Sequence, residues 1–494
     1  MRGKILRNRE VVLYKNFFIL ILIFSLDVIT VAQNDTRILD FRGGTINYKM
    51  TFYSGMLNGL GSRTMGTNSS LENYGAESIF WNPAGLAKAR KAQVFVDYAP
   101  PVSLKPDRFY DFQDKANRMA DNEFKSKSVA GTPYKQPVLS TEFESGTRMQ
   151  SFGFVVPWKN YSFAAAYFNS FEINMNMLES GFHAFFKQGD EATPEEIIAF
   201  RVSGDFSADF NLNAETVSFA GAYQLQDDLS LGITFDYYTI SAKLKADVNF
   251  YGSVSIGGGT AVLFNDPSQG YPNSLFSSFE GKFAGSNWGI RLGGSWRLTE
   301  KSEIALTANI PFTVQMDGNL DIENNTPLFY SGGNIDKERL NISETTRTKK
   351  VLYHSDGMDI RLPGSLIAGY SYALDGVTLI ANAGFNFNEL SFKYAYFETN
   401  TEDSTAVLRS YRQGIKPGAE VKLGIDFGML KIGTGAIFAN EIKKGFKDGG
   451  NKASLIIPLF SLAFNFPLDD HFRIDGNLIS VAMPFSRISI SYIF

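Results

Sequence analysis

Tyr74-Gly75-Ala76-Glu77-Ser78-Ile79-Phe80-Trp81-Asn82-Pro83-Ala84-Gly85-Leu86 is the stretch on which the fold turns. It closes a longer run, residues 54–87, that also carries Gly55, Gly59, Gly61 and Gly66. Glycines permit φ > 0 or close passage along a wall. Asn82-Pro83 favours a turn, with Asn82 pushed towards extended geometry. Met56, Leu57, Leu60, Ile79, Phe80, Trp81 and Leu86 are scattered without a clean period. The run is too broken for a long strand and too rich in Gly, Ser and Asn for a long helix. It reads as a compact plug that needs a surrounding structure to bury it.

The rest of the chain supplies that surrounding. From residue 92 the pattern has period two. Trp288, Ile290, Leu292, Trp296 and Leu298 alternate with Asn287, Gly289, Arg291, Ser295 and Arg297. Ile415, Ala419, Val421, Leu423, Ile425 and Phe427 alternate with Lys416, Gly418, Glu420, Lys422, Gly424 and Asp426. Residues 161–177 alternate in the same way. One face meets a greasy phase and the other meets water, so the first set is expected towards lipid and the charged set towards a wet lumen. About fourteen such segments occur, longer than ordinary globular strands. Short connections such as Asp375-Gly376 alternate with long ones near 105–140, 179–204, 253–277, 318–357, 397–413 and 441–452. That threading predicts an all-β transmembrane antiparallel β-barrel of about 14 strands, with the short turns periplasmic and the plug inside as a hatch.

Composition narrows the class. The chain has 494 residues, 44 Phe, 22 Tyr and 45 Gly, which favours strands and turns. A net charge of -4 argues against a nucleic-acid surface. Cys is absent, which removes disulfides and thiolate metal sites. His183, His354 and His471 are far apart, and no metal site or cofactor is expected. No nucleophile elbow, Walker loop or zincin motif occurs, so no enzyme is expected. Basic residues up to Lys15, an apolar run over 17–31 and Thr30-Val31-Ala32 describe a signal peptide, residues 1–32. Residues 33–91 then form a periplasmic N-terminal segment and the hatch, with 34–50 polar and irregular. Residues 92–494 form the barrel.

Gly59-Leu60-Gly61-Ser62-Arg63 followed by Ile79-Phe80-Trp81-Asn82-Pro83-Ala84-Gly85-Leu86 resembles the hatch of the FadL/TodX family of outer-membrane transporters. Arg361-Leu362-Pro363-Gly364-Ser365-Leu366 resembles a strand of that family, with Gly364 where Ala is commoner. The terminal strand ending Tyr492-Ile493-Phe494 resembles the one outer-membrane proteins present to their assembly machinery. The resemblance implies passive uptake of hydrophobic compounds such as long-chain fatty acids across the outer membrane of a Gram-negative-type bacterium. Asn82, Pro83, Ala84 and Gly85 would be the gate, and exit would run sideways through the wall or past the hatch. A PorV-like component of type IX secretion, binding cargo proteins, shares the fold and is the alternative.

Capture is expected in the connection 179–204. Phe182, Phe185 and Phe186 precede Thr193-Pro194-Glu195-Glu196, which has the form of a helix start, and Ile197, Ile198 and Phe200 follow. Two short amphipathic helices there would offer a greasy groove; the equal alternative is that these aromatics only pack the connection against neighbouring loops. Lys337, Arg339, Arg347, Lys349 and Lys350 read first as a solvated basic cluster; a carboxylate or lipopolysaccharide phosphate is what such a cluster would attract at the surface.

Overall fold

The computed structural model describes residues 36–54, 71, 75–100, 102–104, 112–145, 148–189, 192–259, 261–264, 275–327, 330–331, 334–335, 348–400, 405–444, 454–481 and 483–494. The signal peptide, Gly59-Leu60-Gly61-Ser62-Arg63, and Lys337, Arg339 and Arg347 lie outside them.

The chain begins with β1 (Thr36–Ser54) and passes through two 3-10 turns, Ala76–Phe80 and Pro83–Lys88. The wall then opens with β2 (Gln93–Ala99) and β3 (Val102–Leu104). Helix α1 (Phe112–Phe124), β4 (Tyr134–Lys135), β5 (Val138–Ser145) and β6 (Arg148–Trp158) follow. The longest strands are β7 (Tyr161–Gln188), β8 (Ile198–Gln226), β9 (Leu229–Ile256) and, past β10 (Val262–Phe264), β11 (Leu275–Thr299). Next come β12 (Ser302–Asn309), β13 (Phe312–Pro327), a small hairpin of β14 (Tyr330–Ser331) and β15 (Asn334–Ile335), then β16 (Thr348–Leu362) and β17 (Gly364–Leu374). The wall finishes with β18 (Val377–Phe387), β19 (Leu390–Asn400), β20 (Thr405–Asp426), β21 (Leu430–Lys444), β22 (Ser454–Pro467), β23 (Phe472–Val481) and β24 (Met483–Ile493).

Antiparallel pairing runs β2–β6–β7–β8–β9–β11, then through the split strands β12/β13, β17/β16 and β18/β19, and on through β20 to β24. β24 returns to β2, so the sheet closes and leaves no edge in lipid. With β5/β6 and the other broken strands each counted once, the wall has fourteen strands. Among the described residues no helix is long and apolar enough to cross a membrane.

The outer surface locates the bilayer. Val94, Val96, Phe154, Phe163, Phe219, Phe235, Trp288, Leu306, Leu423, Phe460 and Ile490 all point outward and are exposed, forming an apolar belt beside the short turns. On β9 the belt covers residues 229–237, after which Thr239, Ser241, Lys243 and Lys245 take over the outer face. Such a span, rising ~3.4 Å per residue and tilted by ~40°, covers about 23 Å, close to the ~25 Å band of outer-membrane barrels. Trp158, Tyr161 and Tyr223 cluster at the short-turn margin, where amphipathic rings suit the interface. The architecture is that of an outer-membrane β-barrel.

Three readings are corrected. First, residues 36–50, read as irregular, form a strand. β1 pairs antiparallel with β7 from Thr36↔Gln188 to Ser54↔Phe171, and parallel with β5 from Thr45↔Val138. It is an extra wall strand above the belt, its start at the long-loop end rather than in the periplasm. Its partners are distant in sequence, so its own polar composition gave no sign of it.

Second, long strands reach past the belt into what read as loops. The connection 179–204 shrinks to residues 189–197, because β7 and β8 stay paired up to Gln188↔Ile198. Third, bulges reverse the facing part-way along. A shift between Asn169 and Phe171 turns Phe171 and Ile173 inward, where they pack on the interior cluster. A shift between Pro417 and Glu420 leaves Lys416 exposed outside, not luminal, and puts Ile415 opposite the interior residue Leu390.

Candidate functional site: a hatch docked on the inner wall

Asn82, Pro83, Ala84 and Gly85 are all buried inside the barrel near its short-turn end. Asn82 is extended and caps the following 3-10 turn: its Oδ1 accepts from Ala84 N at 3.1 Å. Pro83 takes the first helical position, where a missing N–H costs nothing. Gly85 N donates back to Asn82 O at 3.0 Å. The Asn82 Nδ2 then donates to Gly294 O on β11 at 3.2 Å, joining turn to wall.

The wall is cut to receive this turn. Gly232 of β9 and Gly293 of β11 are cross-strand partners. A Cβ on Gly232 would fall on the Pro83 carbonyl and the Ala84 nitrogen, and one on Gly293 on Asn82 Oδ1 and Pro83 Cδ. Only bare backbone lets the turn lie this close.

Charged groups hold the hatch on either side. Arg291, 6% exposed, donates to Ile79 O at 2.8 Å, to Asp236 at 2.9 Å and to Asn309 Oδ1 at 2.9 Å. Arg473 of β23 grips the Glu77 carboxylate at 2.9 and 3.1 Å. Lys88 pairs with Glu303 of β12. Between these anchors Ile79, Phe80, Trp81 and Leu86 pack on Phe95, Val155, Ala164, Phe168 and Ala220. Phe80 meets Phe95 and Phe168 edge-on, with centroids 5.5 and 5.0 Å apart. At the foot of the hatch a cavity of about 270 Å³ is lined by Ala87, Lys88, Arg90, Leu229 and Arg297 among others, so Arg297 faces inward as expected.

Above the hatch the interior of the β7–β16 side is apolar. Leu212, Tyr238, Ile240, Phe283, Val314, Met316 and Ile360 form a middle layer. An upper layer joins Ile38, Phe41 and Ile46 of β1 to Met177, Phe206, Val248 and Phe250. Helix α1 covers it with Ala120 and Phe124, the Phe124 ring stacked on Phe41 at 4.5 Å.

The expected capture residues divide between these surroundings. Phe182, Phe186, Ile198 and Phe200 are buried in the upper layer. Phe185 points out of the barrel, under the Arg201 guanidinium at 4.3 Å. Ile197 stays in the connection, half-buried, its carbonyl accepting from Gly257 N at 2.9 Å. The two expected helices are absent among the described residues. One 3-10 turn, Pro194–Glu196, stands there, and Thr193 makes no side-chain cap bond. Strand pairing satisfies the backbone that the helices would have used.

Glu77, Arg473, Gly232 and Gly293 were not legible as hatch contacts, since all four are common residue types whose partners lie far along the chain. Arg291 was read only as luminal. Among the described residues no group of acidic and His side chains is arranged to hold a metal ion.

No protein-family model matches the chain. No curated protein sequence matches it either. Solved structures with a similar fold include the P. putida toluene transporter TodX, at 13% identity and a TM-score of 0.48, covering 89% of this chain and 99% of that one. The Ralstonia pickettii toluene transporter TbuX is similar at 14% identity and a TM-score of 0.44, covering 89% of this chain and 99% of that one. A Pseudomonas aeruginosa FadL homologue is similar at 11% identity and a TM-score of 0.42, covering 90% of this chain and 98% of that one.

Proposed function

We propose that the protein is a passive outer-membrane channel for hydrophobic compounds, long-chain fatty acids among them. The observation that carries this is the apolar lining above the hatch. A hydrated pore would be lined by polar groups, whereas here two apolar layers lead from the long-loop end to a plug. Capture takes place at the upper layer, on Phe182, Phe186, Ile198 and Phe200, under α1 and β1. Partitioning into successively buried apolar surface then draws the cargo down without an energy source.

The seam between β11 and β13 is the exit that the strand pairing favours. β11 bonds β12 over residues 291–299 and β13 over 276–284, so residues 285–290 have no ladder partner on that side, with one backbone bond from Ile310 N to Ile290 O at its end. The Asn287 side chain bridges the lapse to Thr313 O at 2.7 Å. Phe312 and Tyr238 line the seam inside, and Trp288 and Ile290 stand in the belt outside.

The test is uptake by a host lacking its own transporter, with a labelled long-chain fatty acid, a neutral aromatic hydrocarbon and a polar sugar of similar size. Uptake of both hydrophobic probes but not the sugar is expected. Failure to take up either, by a well-assembled barrel, removes the proposal.

A further inference from the structure

Glu179 of β7 interrupts the apolar upper layer. It is paired with Ile46 of β1 on one side and with Phe206 of β8 on the other, and both of those are buried in that layer. Partners directly opposite on neighbouring strands share a face, so Glu179 points inward with them. Met177, two residues before it, and Phe182, past a bulge, belong to the same layer. Glu179 therefore stands among the residues assigned to capture. It is half-buried, so a molecule entering the layer can reach its carboxyl.

Among the described residues Glu179 has no hydrogen-bond or ion-pair partner. The charge acting on it is of the same sign: Asp205 of β8, which accepts from the Tyr251 hydroxyl of β9. Its neighbours Thr45, Ile46 and Asn47 on β1, and Leu178 and Ser180 on β7, are uncharged. The flanking cations of β1 are already engaged, Arg42 by Asp40 at 3.5 Å and Lys49 by Glu144 at 3.0 Å. In an apolar site a few placed polar groups set specificity. An unpaired carboxylate there repels a second anion more strongly than it would in water, whereas a hydroxyl or a cation supplies the bond it lacks.

We propose that Glu179 selects cargo by the charge of its polar end, admitting neutral hydrogen-bond donors and cations and holding back fixed anions. This rests on the uptake function proposed above and narrows it, because a fatty acid then enters as the neutral acid rather than as the carboxylate. Burial and Asp205 push the Glu179 carboxyl up to about 7, so the selection is strong above that pH and fades below it.

Displacement of a neutral aromatic dye from the full-length protein in zwitterionic lipid nanodiscs tests this. The probes are decanol, decyltrimethylammonium and decanesulfonate, which share one chain and do not titrate between pH 5 and pH 8. From pH 5 to pH 8 the affinity for the sulfonate should fall and that for the ammonium should rise, each by roughly tenfold, with decanol unchanged. Glu179→Gln should abolish both changes and keep decanol binding. Asp205→Asn, at an exposed position, should keep both changes but move their midpoint to lower pH, a shift that a purely structural role would not produce. Heat-modifiable gel mobility confirms assembly of each variant. A Glu179→Gln protein with the parent's discrimination, or an Asp205→Asn protein with none, overturns the proposal. If neither dye nor decanol binds the unaltered protein at either pH, the uptake function falls and the selection with it.

Discussion

Gly232 and Gly293 face each other across β9 and β11, and the Asn82–Pro83 turn lies on the backbone they leave bare. The wall therefore determines where the hatch rests as much as the hatch sequence does. A methyl group on either glycine has only two outcomes, displacement of the turn or strain in two strands. Overpacking of this kind costs about 1–3 kcal/mol. Gly293→Leu should assemble, since the strand ladder is backbone, but with the turn lifted from the wall. A Cys placed at Ala87, in a chain with no native Cys, should then react faster with an aqueous maleimide in the variant than in the parent. Equal rates would mean the glycines do not seat the hatch.

Arg291 ties the hatch to both neighbouring strands at once, through Ile79 O, Asp236 of β9 and Asn309 of β12. Arg291→Ala removes all three bonds and leaves the 2%-exposed Asp236 without its counter-charge. Loss of one member of a buried pair costs about 3–5 kcal/mol. Arg291→Lys should rescue little, since an ammonium lacks the planar fork that spans three acceptors. Asn82→Ala loses two neutral hydrogen bonds worth ~1 kcal/mol each and should be milder. Uptake and heat-modifiable gel mobility measured together rank the three. Asn82→Ala more damaging than Arg291→Ala would contradict this account of the anchors.

The barrel was legible because lipid outside and a filled lumen inside impose period two on every wall strand. Trp288, Ile290, Leu292 and Trp296 are exposed and Arg291 is buried, as the alternation predicts. Legibility ended where the outer phase changed. Above the belt the outward positions of β7 and β8 turn polar, as at Asn174, Asn176, Asp209 and Asn211, and beyond residue 178 the alternation is lost, so 179–204 reads as a connection although β7 and β8 stay paired to Gln188↔Ile198. Bulges hid the rest. A single extra residue near Ser170 or Gly418 reverses every later side chain without changing composition. In the hatch, Asn82-Pro83-Ala84-Gly85 gave the turn, but the glycines and arginines that complete it are single residues on remote strands.

Glu179 gives the upper barrel a pH dependence. It lies on β7 above the belt, and burial, reinforced by the Asp205 carboxylate, pushes its carboxyl up from 4.5 to about 7. Between those values the folded state holds a proton that the unfolded chain has released. Stability contributed here is therefore present at low pH and is lost as pH rises through that window. Thermal loss of the compact, heat-modifiable form should come at lower temperature at pH 8 than at pH 5. Glu179→Gln should flatten the difference. A variant with the parent's full pH dependence would assign the effect to other groups.

The lapse in the ladder at residues 285–290 makes the seam between β11 and β13 a weak join at the margin of the belt. Each missing backbone bond removes a contribution of ~1 kcal/mol to the closed seam, so parting it is easier than parting any fully paired neighbour. Asn287 and Thr313 meet across the lapse, and a disulfide between cysteines at these positions would clamp it. In Asn287→Cys/Thr313→Cys the oxidised protein should capture a labelled fatty acid at the upper layer but release it several-fold more slowly to the membrane. Reductant should restore the rate. The single variants should behave as the parent, which separates the clamp from the loss of the Asn287 bridge. Parent-like release by the oxidised double variant would close the lateral route. Exit past the hatch would then remain, and Gly293→Leu, with its turn lifted, should speed release in that case and leave it unchanged if the seam is the door.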